Sequence, residues 1–327
     1  MPEAFRHADC TRTIVFGRGA LAGSADLVGE DYVLVTTPRA MKAAPALAAR
    51  AAAVVEVPAG LVEVVAAGLR PHVRGSRLVA LGGGRVIDVA KALAAADPPR
   101  SVVAIPTSLS AAEMTGVHRH AEGVAPETPH VRASVVINDS ALSASQPVDG
   151  LAASSANALG HALTALFSDR ASPISRATAR EAMRHFVRGW SDAEPDRDAV
   201  ALGALLAGWA VDHTGLGPHH VLAQTAVRVA SVPHAQANAA LLPVTVRATR
   251  AQRDAEFGDL DAYLGMPLEA LAERLRDRAH ADLHALGTDE ALLARAIDAA
   301  AARPELARIA PELHRDEIRE MYRAATT

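Results

Sequence analysis

Two hydrophobic periods divide this chain. Up to about residue 139, short β-branched runs alternate with alanine-rich stretches of helical spacing, the pattern of parallel strands joined by crossover helices. TRTIVFG, DYVLVTTP, AAVVEVPA, SRLVALGGG, RSVVAIPTS and RASVVIND read as strands, and residues 39–53, 60–74 and 86–97 read as helices between them. Near Pro147 the period changes. From PVDGLAASS onward, amphipathic helical segments follow one another between short Gly, Pro and Asp breaks, and no stretch reads as a strand. LEALAERLRDRAHADLHAL and PELARIAPELHRDEIREMYRAA have the 3.6-residue period and charged outer faces of surface helices. The pattern predicts an α/β doubly wound parallel-sheet domain over 1–146 and an all-α domain over 147–327. No repeat or low-complexity linker separates them, so the cleft between the two is the expected site.

Composition narrows the class. A chain of 327 residues, 50% hydrophobic, is long enough for two packed cores. Net charge is only -4, no basic patch accumulates, and 3% aromatic residues leave few rings for bases, so no nucleic-acid partner is expected. Cys10 is the only cysteine, which excludes an internal disulfide and a Cys-rich zinc site and fits a reducing compartment. The opening MPEAFRHADCTRTIVFG has no apolar signal core, and no run approaches the roughly 20 apolar residues of a membrane span. No membrane partner and a cytoplasmic location are expected. Lys42 and Lys91 are the only lysines, which reads as a coding bias.

Three stretches can carry chemistry. In LVALGGGRVIDVAKALA a strand runs through Gly82, Gly83 and Gly84 directly into a helix, so backbone can approach a diphosphate where helix N–H groups point outward. A tight strand-to-helix turn is the plainer account of the same glycines. Asp88 and Lys91, one turn apart, either belong to that site or form an ordinary surface salt bridge. At the end of the next strand, Thr107, Ser108 and Ser110 supply hydroxyls on the side of an open sheet where ligands bind. Thr37 and Pro38, in TTPRA, end another strand on that side, and Arg39 is placed either to hold a 2′-phosphate or to sit in solvent. His118, Arg119 and His120 follow the hydroxyl loop, either as cations for an acidic substrate or as a solvated basic strand.

The third stretch is SSANALGHALTALF. Asn157 and His161 are i and i+4 neighbours, about 5–6 Å apart at Cβ, so one helix face offers an amide and an imidazole to a common site. His219 or His220, and then His234, could complete a ring from elsewhere in the chain. Hydrogen-bonded core histidines are the alternative for each.

Taken together, IVFGRGAL, GGGRVIDVAK, IPTS, NALGHAL, HHVLAQ and VPHAQANAALLP resemble the iron-containing alcohol dehydrogenase superfamily, which also includes glycerol dehydrogenases and, more distantly, dehydroquinate synthases. The resemblance covers nearly the whole chain. It implies a dinucleotide-binding N-terminal domain and a helical C-terminal domain, with NADH or NADPH as cofactor, and suggests a homodimer. Metal-dependent members bind a divalent ion through an aspartate, a histidine four residues later, and two further histidines fourteen apart. Those positions are Asn157, His161, His220 and His234 here, so the only charged ligand is an amide. Three imidazoles without an anion make a weak site for a divalent cation, and metal is not expected.

Asparagine at 157 fits the maleylacetate reductase branch, which YVLVTTPRA, AIPTSLSAAEMT, GPHHVLAQ and VPHAQANAALLP also resemble. The resemblance implies hydride transfer to an unsaturated oxo acid, with Asn157, His161, His220 and His234 at the carbonyl and His118, Arg119, Gln224 and Arg228 toward the carboxylates of a small acidic substrate. Departures from the branch are Ala111-Ala112-Glu113 for its Gly-Ser-Glu, Gln224 for a second histidine, and Thr225 to Arg228 for a Thr-Leu-Gly-Gly run. These departures motivate a second reading, a scaffold turned to dehydration, isomerisation or cyclisation without net redox.

Overall fold

The β-branched runs of the first half become strands because both faces are covered: every position of the strands Val33–Thr36 and Val135–Asn138 is buried, and all but the first of Arg77–Gly82 and Ser101–Pro106. The computed structural model describes residues 5–8, 12–309 and 313–326, with only the backbone for 5–8; Cys10 and Thr11 lie outside them. Two compact units result, Met1–Ser145 and Gln146–Thr327.

In the first unit, β1 (Phe5–Ala8), β2 (Thr13–Phe16), β3 (Val33–Thr36), β4 (Ala53–Glu56), β5 (Arg77–Gly82), β6 (Ser101–Pro106) and β7 (Val135–Asn138) form one sheet of order β1-β2-β7-β6-β5-β3-β4. All neighbours pair in parallel except β1 with β2. β1 is not predicted: four residues without apolar alternation carry too little pattern to stand out. Helices α1 (Ala25–Val28), α2 (Pro38–Ala43), α3 (Pro45–Arg50), α4 (Val62–Leu69), α5 (Gly84–Ala96) and α6 (Ser140–Ser143) fill the connections. The single helix expected over 39–53 is two, because Pro45 pushes Ala44 off helical geometry (φ -142°). The one expected over 60–74 closes at Leu69 and tightens into a 3₁₀ turn over Arg70–His72. From β4 the chain returns across β3 to β5 and then proceeds to β6 and β7. The strand order reverses between β3 and β5, and ligands of open α/β sheets bind outside the carboxyl ends of strands at such a point.

The second unit contains α7 (Val148–Phe167), α8 (Pro173–Gly189), α9 (Arg197–Thr214), α10 (Pro218–Ala230), α11 (His234–Gln252), α12 (Asp254–Leu264), α13 (Leu268–Ala279), α14 (His284–Thr288), α15 (Glu290–Ala301) and α16 (Arg315–Ala324). No strand occurs among its described residues, and no single described helix is long and apolar enough to cross a membrane. α7 is the core helix, buried almost all round and packed on by α8, α9, α11 and α13. Its small residues allow this close packing, and Ser155 is satisfied inside by accepting from Trp190 Nε1 at 3.1 Å and donating to Leu151 O at 2.8 Å. The run LEALAERLRDRAHADLHAL is interrupted by His280, whose φ of 50° ends α13. Pro218 and Pro233 start α10 and α11, and their first turns carry His219, His220 and His234.

Candidate functional site

At the reversal point of the sheet, β5 ends at Gly82 and α5 begins at Gly84, so the free N–H groups of a 13-residue helix open where the strands end. None of the three glycines has a left-handed φ. Close approach is what they serve: a Cβ on Gly84 would stand 2.9 Å from Ser110 Cβ, and one on Gly83 would stand 3.1 Å from Ser108 Oγ. The hydroxyl loop is laid directly on the glycine turn, starting where Thr107 N donates to Gly82 O at 2.9 Å. The absence of side chains at Gly83 and Gly84 is what lets the hydroxyl loop lie beside the first N–H groups of α5. Thr37 and Pro38 sit at the carboxyl end of β3, where Thr37 Oγ1 caps α2 by accepting from Ala40 N at 3.3 Å and Pro38 takes the first helical position.

Two first-unit expectations need correction. Asp88 and Lys91, expected either at the cofactor or as a surface pair, form neither a surface pair nor a ligand contact through the lysine. Lys91 is fully buried, 2.8 Å from Asp88 Oδ1, and donates to the carbonyls of Ala112, Thr115 and Val117, so no donor is left for a ligand. His118 is not a cation for substrate. It is buried, its Nδ1 donates to Arg119 O at 3.0 Å, and its Nε2 accepts from Val131 N at 3.0 Å, which fixes a neutral tautomer; burial lowers its pKa to about 4. His118, Arg119 and His120 form an irregular loop rather than a strand, with Arg119 exposed. Ala111, where the related pattern has glycine, keeps a left-handed φ of 63°, a conformation that costs an L side chain about 1–2 kcal/mol.

In the second unit, His161 faces the first turn of α10, and Asn157 is buried one turn before it on α7. The rings of His161 and His220 are stacked, centroids 4.2 Å apart and planes 4° from parallel. His219 stands edge-on to His220 at 4.9 Å. It is placed by Gly160, where a Cβ would lie 2.2 Å from its Cδ2, and by Thr245, 3.1 Å from its Nδ1. Because the Thr245 hydroxyl donates to Leu242 O at 2.9 Å, it accepts from His219, whose Nε2 therefore carries the lone pair. His234 opens α11, and Asn238 one turn on donates to its backbone carbonyl at 2.8 Å and lies 3.2 Å from its Nε2.

Burial is the largest cause of lowered pKa for the three buried histidines, to about 3 for His161, about 4 for His219 and well below the ordinary value for His220; His234, exposed at the start of α11, is shifted in the same direction by the desolvation of its ring. The imidazoles are neutral at pH 7. His161 Nδ1, His219 Nε2, both nitrogens of His220 and Asn238 Oδ1 are buried without a hydrogen-bond partner. Such atoms cost free energy unless a ligand or water meets them, and five together on three helices mark a polar site.

The donor set does not fit a divalent ion as arranged. A ligated ion lies close to the plane of each imidazole that binds it, and two stacked parallel rings share no such plane. Asn157 brings no charge, and among the described residues no group of three or more His, Cys, Asp or Glu is placed to hold a metal.

Gln224 and Arg228 lie one turn apart on α10. Gln224 Oε1 accepts from Arg303 at 3.4 and 3.5 Å, and Arg228 is exposed. Sequence reasoning left His219 open against His220 and missed Asn238, Thr245 and Arg303. Their only signals were the adjacency of the two histidines and the i, i+4 spacing of His234 and Asn238.

A family model for the Fe-containing alcohol dehydrogenase family, C-terminal, matches residues 151–326. The maleylacetate reductase of Rhizobium sp. (strain MTP-10005) is 30% identical over 285 residues, covering 80% of this chain and 81% of that protein. The crystal structure of maleylacetate reductase from Agrobacterium tumefaciens superposes with a TM-score of 0.82 at 27% identity, covering 100% of this chain and 99% of the other. The iron-containing alcohol dehydrogenase from Corynebacterium glutamicum gives a TM-score of 0.82 at 25% identity, with 100% and 98% covered. A core helix carrying Asn157 and His161, two histidine-bearing helix starts and a sheet ending in a glycine turn are therefore parts of one inherited scaffold, and the chain belongs to the Fe-containing alcohol dehydrogenase family of oxidoreductases.

Proposed function

We propose that this protein is an NAD(P)H-dependent reductase of maleylacetate or a closely related unsaturated oxo dicarboxylic acid, and that it works without a divalent metal. The observation that carries the reading is the group of buried, unpartnered polar atoms on His161, His219, His220 and Asn238. They offer an acidic oxo substrate hydrogen-bond donors and acceptors in place of a Lewis acid. The relatives named maleylacetate reductase support the substrate class.

When bound, the nicotinamide supplies a hydride to the conjugated carbon. The chain's own residues do the rest. The N-terminus of α5 and the hydroxyls of Thr107 and Ser108 bind the dinucleotide, with Gly83 and Gly84 letting the hydroxyl loop pack beside that N-terminus. A neutral imidazole N–H of His161 or of His220, together with the Asn157 amide, donates to the oxygen on which negative charge develops, which stabilises the enolate before a proton from water completes the product. The positive ends of α10 and α11, at His220 and His234, favour a carboxylate.

Imidazoles held neutral down to about pH 3–4 are poor proton-cycling partners at pH 7, and this favours the reductase over a non-redox acid–base enzyme. The test is a calorimetric titration of metal-stripped protein with NADH and with NADPH, followed by an assay of maleylacetate reduction with and without added zinc or iron. Micromolar nucleotide binding and metal-indifferent turnover are expected. Absence of binding to either nucleotide refutes the reductase, and turnover that requires a metal refutes the metal-free mechanism.

A further inference from the structure

Lys91 reaches from α5 into the stretch that follows the hydroxyl loop. Its buried ammonium donates to Ala112 O at 2.9 Å, Thr115 O at 3.1 Å and Val117 O at 3.0 Å, with the Asp88 carboxylate at 2.8 Å. A fourth carbonyl of the same stretch, that of Met114, accepts from Arg12 Nη1 at 2.7 Å. Four of the six carbonyls from 112 to 117 are therefore turned toward buried cations. Carbonyl oxygens and one carboxylate around a dry ammonium amount to an internal cation site, and the ammonium holds the backbone that surrounds it.

The residue just before this stretch is Ala111 at φ 63°. A side chain persists in that conformation only where its surroundings over-determine it. On the other side of Ala111 are Ser110 and Ser108, laid against Gly84 and Gly83. The order along the chain is thus a serine loop on the nucleotide turn, one strained residue, and a segment clamped by Lys91.

We propose that Lys91 is a positioning residue of the nucleotide site, whose ammonium binds the carbonyls of the 112–117 segment, keeps Ala111 left-handed, and so sets Ser108 and Ser110 against Gly83 and Gly84. The proposal rests on the reading of that turn as the dinucleotide site. Lys91 touches no ligand, and its effect reaches the cofactor through the loop.

The experiment compares the full chain with Lys91→Met, Ala111→Gly and the double variant, reading NADH affinity by calorimetry and amide exchange of residues 108–117 by mass spectrometry. Lys91→Met is expected to weaken NADH at least tenfold and to speed exchange across 108–117 at least tenfold, raising the nucleotide KM with a much smaller effect on kcat. Glycine at 111 releases the strain that the clamp opposes, so the double variant is expected to regain severalfold of both losses. That rescue is a readout that a lysine acting only on core stability would not give. Unchanged exchange and affinity in Lys91→Met, or losses that Ala111→Gly does not relieve, overturn the proposal. If Lys91→Met does not fold, Ala111→Gly alone decides: severalfold slower exchange over 108–117 supports the clamp, and unchanged exchange refutes it. Wild type that binds no nucleotide sinks the dehydrogenase reading, while the exchange arm still tests the clamp.

Discussion

The imidazole of His161 lies face to face with that of His220, 4.2 Å away and within 4° of parallel. Both rings belong to the four positions, Asn157, His161, His220 and His234, whose spacing resembles that of a metal site. Burial lowers both pKa values, so the two stacked rings are neutral and do not repel one another, and position 157 carries an amide with no charge. Restoring the charge should reopen the choice. Asn157→Asp is expected to bind zinc at least tenfold more tightly than the parent, a gain of about 1.4 kcal/mol, with the rings rotating out of the stack. Zinc titration with a competing chelator measures it. Equal affinities in parent and variant would mean that packing around the rings, and not the missing carboxylate, holds the stack.

Gly160 and His219 are coupled by contact. A Cβ at 160 would fall 2.2 Å from Cδ2 and 2.6 Å from Nε2 of a ring whose Nδ1 is tied to Thr245. Alanine favours a helix over glycine by about 0.5–1 kcal/mol, but overpacking costs about 1–3 kcal/mol and the lost hydrogen bond about 1 kcal/mol more. Gly160→Ala is thus expected to be destabilised by about 1–3 kcal/mol despite its better propensity, seen as a lower urea midpoint with an unchanged slope. A higher midpoint would show that the ring moves aside freely.

Legibility in the sequence follows interaction range. Six of the seven strands and the amide–imidazole pair on α7 are visible because their patterns are local: two-sided burial gives β-branched runs, and i, i+4 spacing gives a shared face. Lys91, read either as a cofactor contact or as half of a surface pair with Asp88, is neither, because the carbonyls that bury it come from 21 to 26 residues away. The His118 environment is hidden for the same reason, since its ring is closed by Val131. The helix over 39–53 carried a warning in Pro45 that the apolar period overrode. Choice between His219 and His220 needed Gly160, whose missing side chain gives no sign in one sequence of what fills the space.

Acid should unfold this protein through its histidines. In the fold His118, His161 and His219 hold pKa values of about 4, 3 and 4, and that of His220 is well below 6.5, whereas all four take up a proton near 6.5 when unfolded. Depressed values favour the folded state above pH 6.5, and that stability is lost as pH falls from 6.5 toward 3–4. Each group contributes up to about 1.4 kcal/mol per pH unit, so the four together give a slope of roughly 5 kcal/mol per unit between pH 6 and 4.5. Denaturant titrations at half-unit intervals should show this fall, with about four protons taken up on unfolding. Uptake of a single proton would place charged histidines in the native state.

Glu113 works in the opposite direction. Only 2% exposed, with Oε2 unpartnered, its carboxyl is pushed by burial to about 7, against a backbone hydrogen bond and the nearby Lys91 that both favour the ionised form. A raised carboxylate value means that stability is fully present below the unfolded value of 4.5 and is lost as pH rises through 7, where folding must bury the charge. The shift corresponds to about 3 kcal/mol at most. Glu113→Gln keeps the shape and removes the titration, so the variant should match the wild type at pH 4.5 and exceed its stability by up to about 3 kcal/mol at pH 8. Because Glu113 sits inside the segment clamped by Lys91, the same variant should hold the 112–117 loop more firmly at alkaline pH. A stability difference that does not change between pH 4.5 and pH 8 would mean that the carboxyl is ionised in the fold throughout, with Lys91 as its counter-ion.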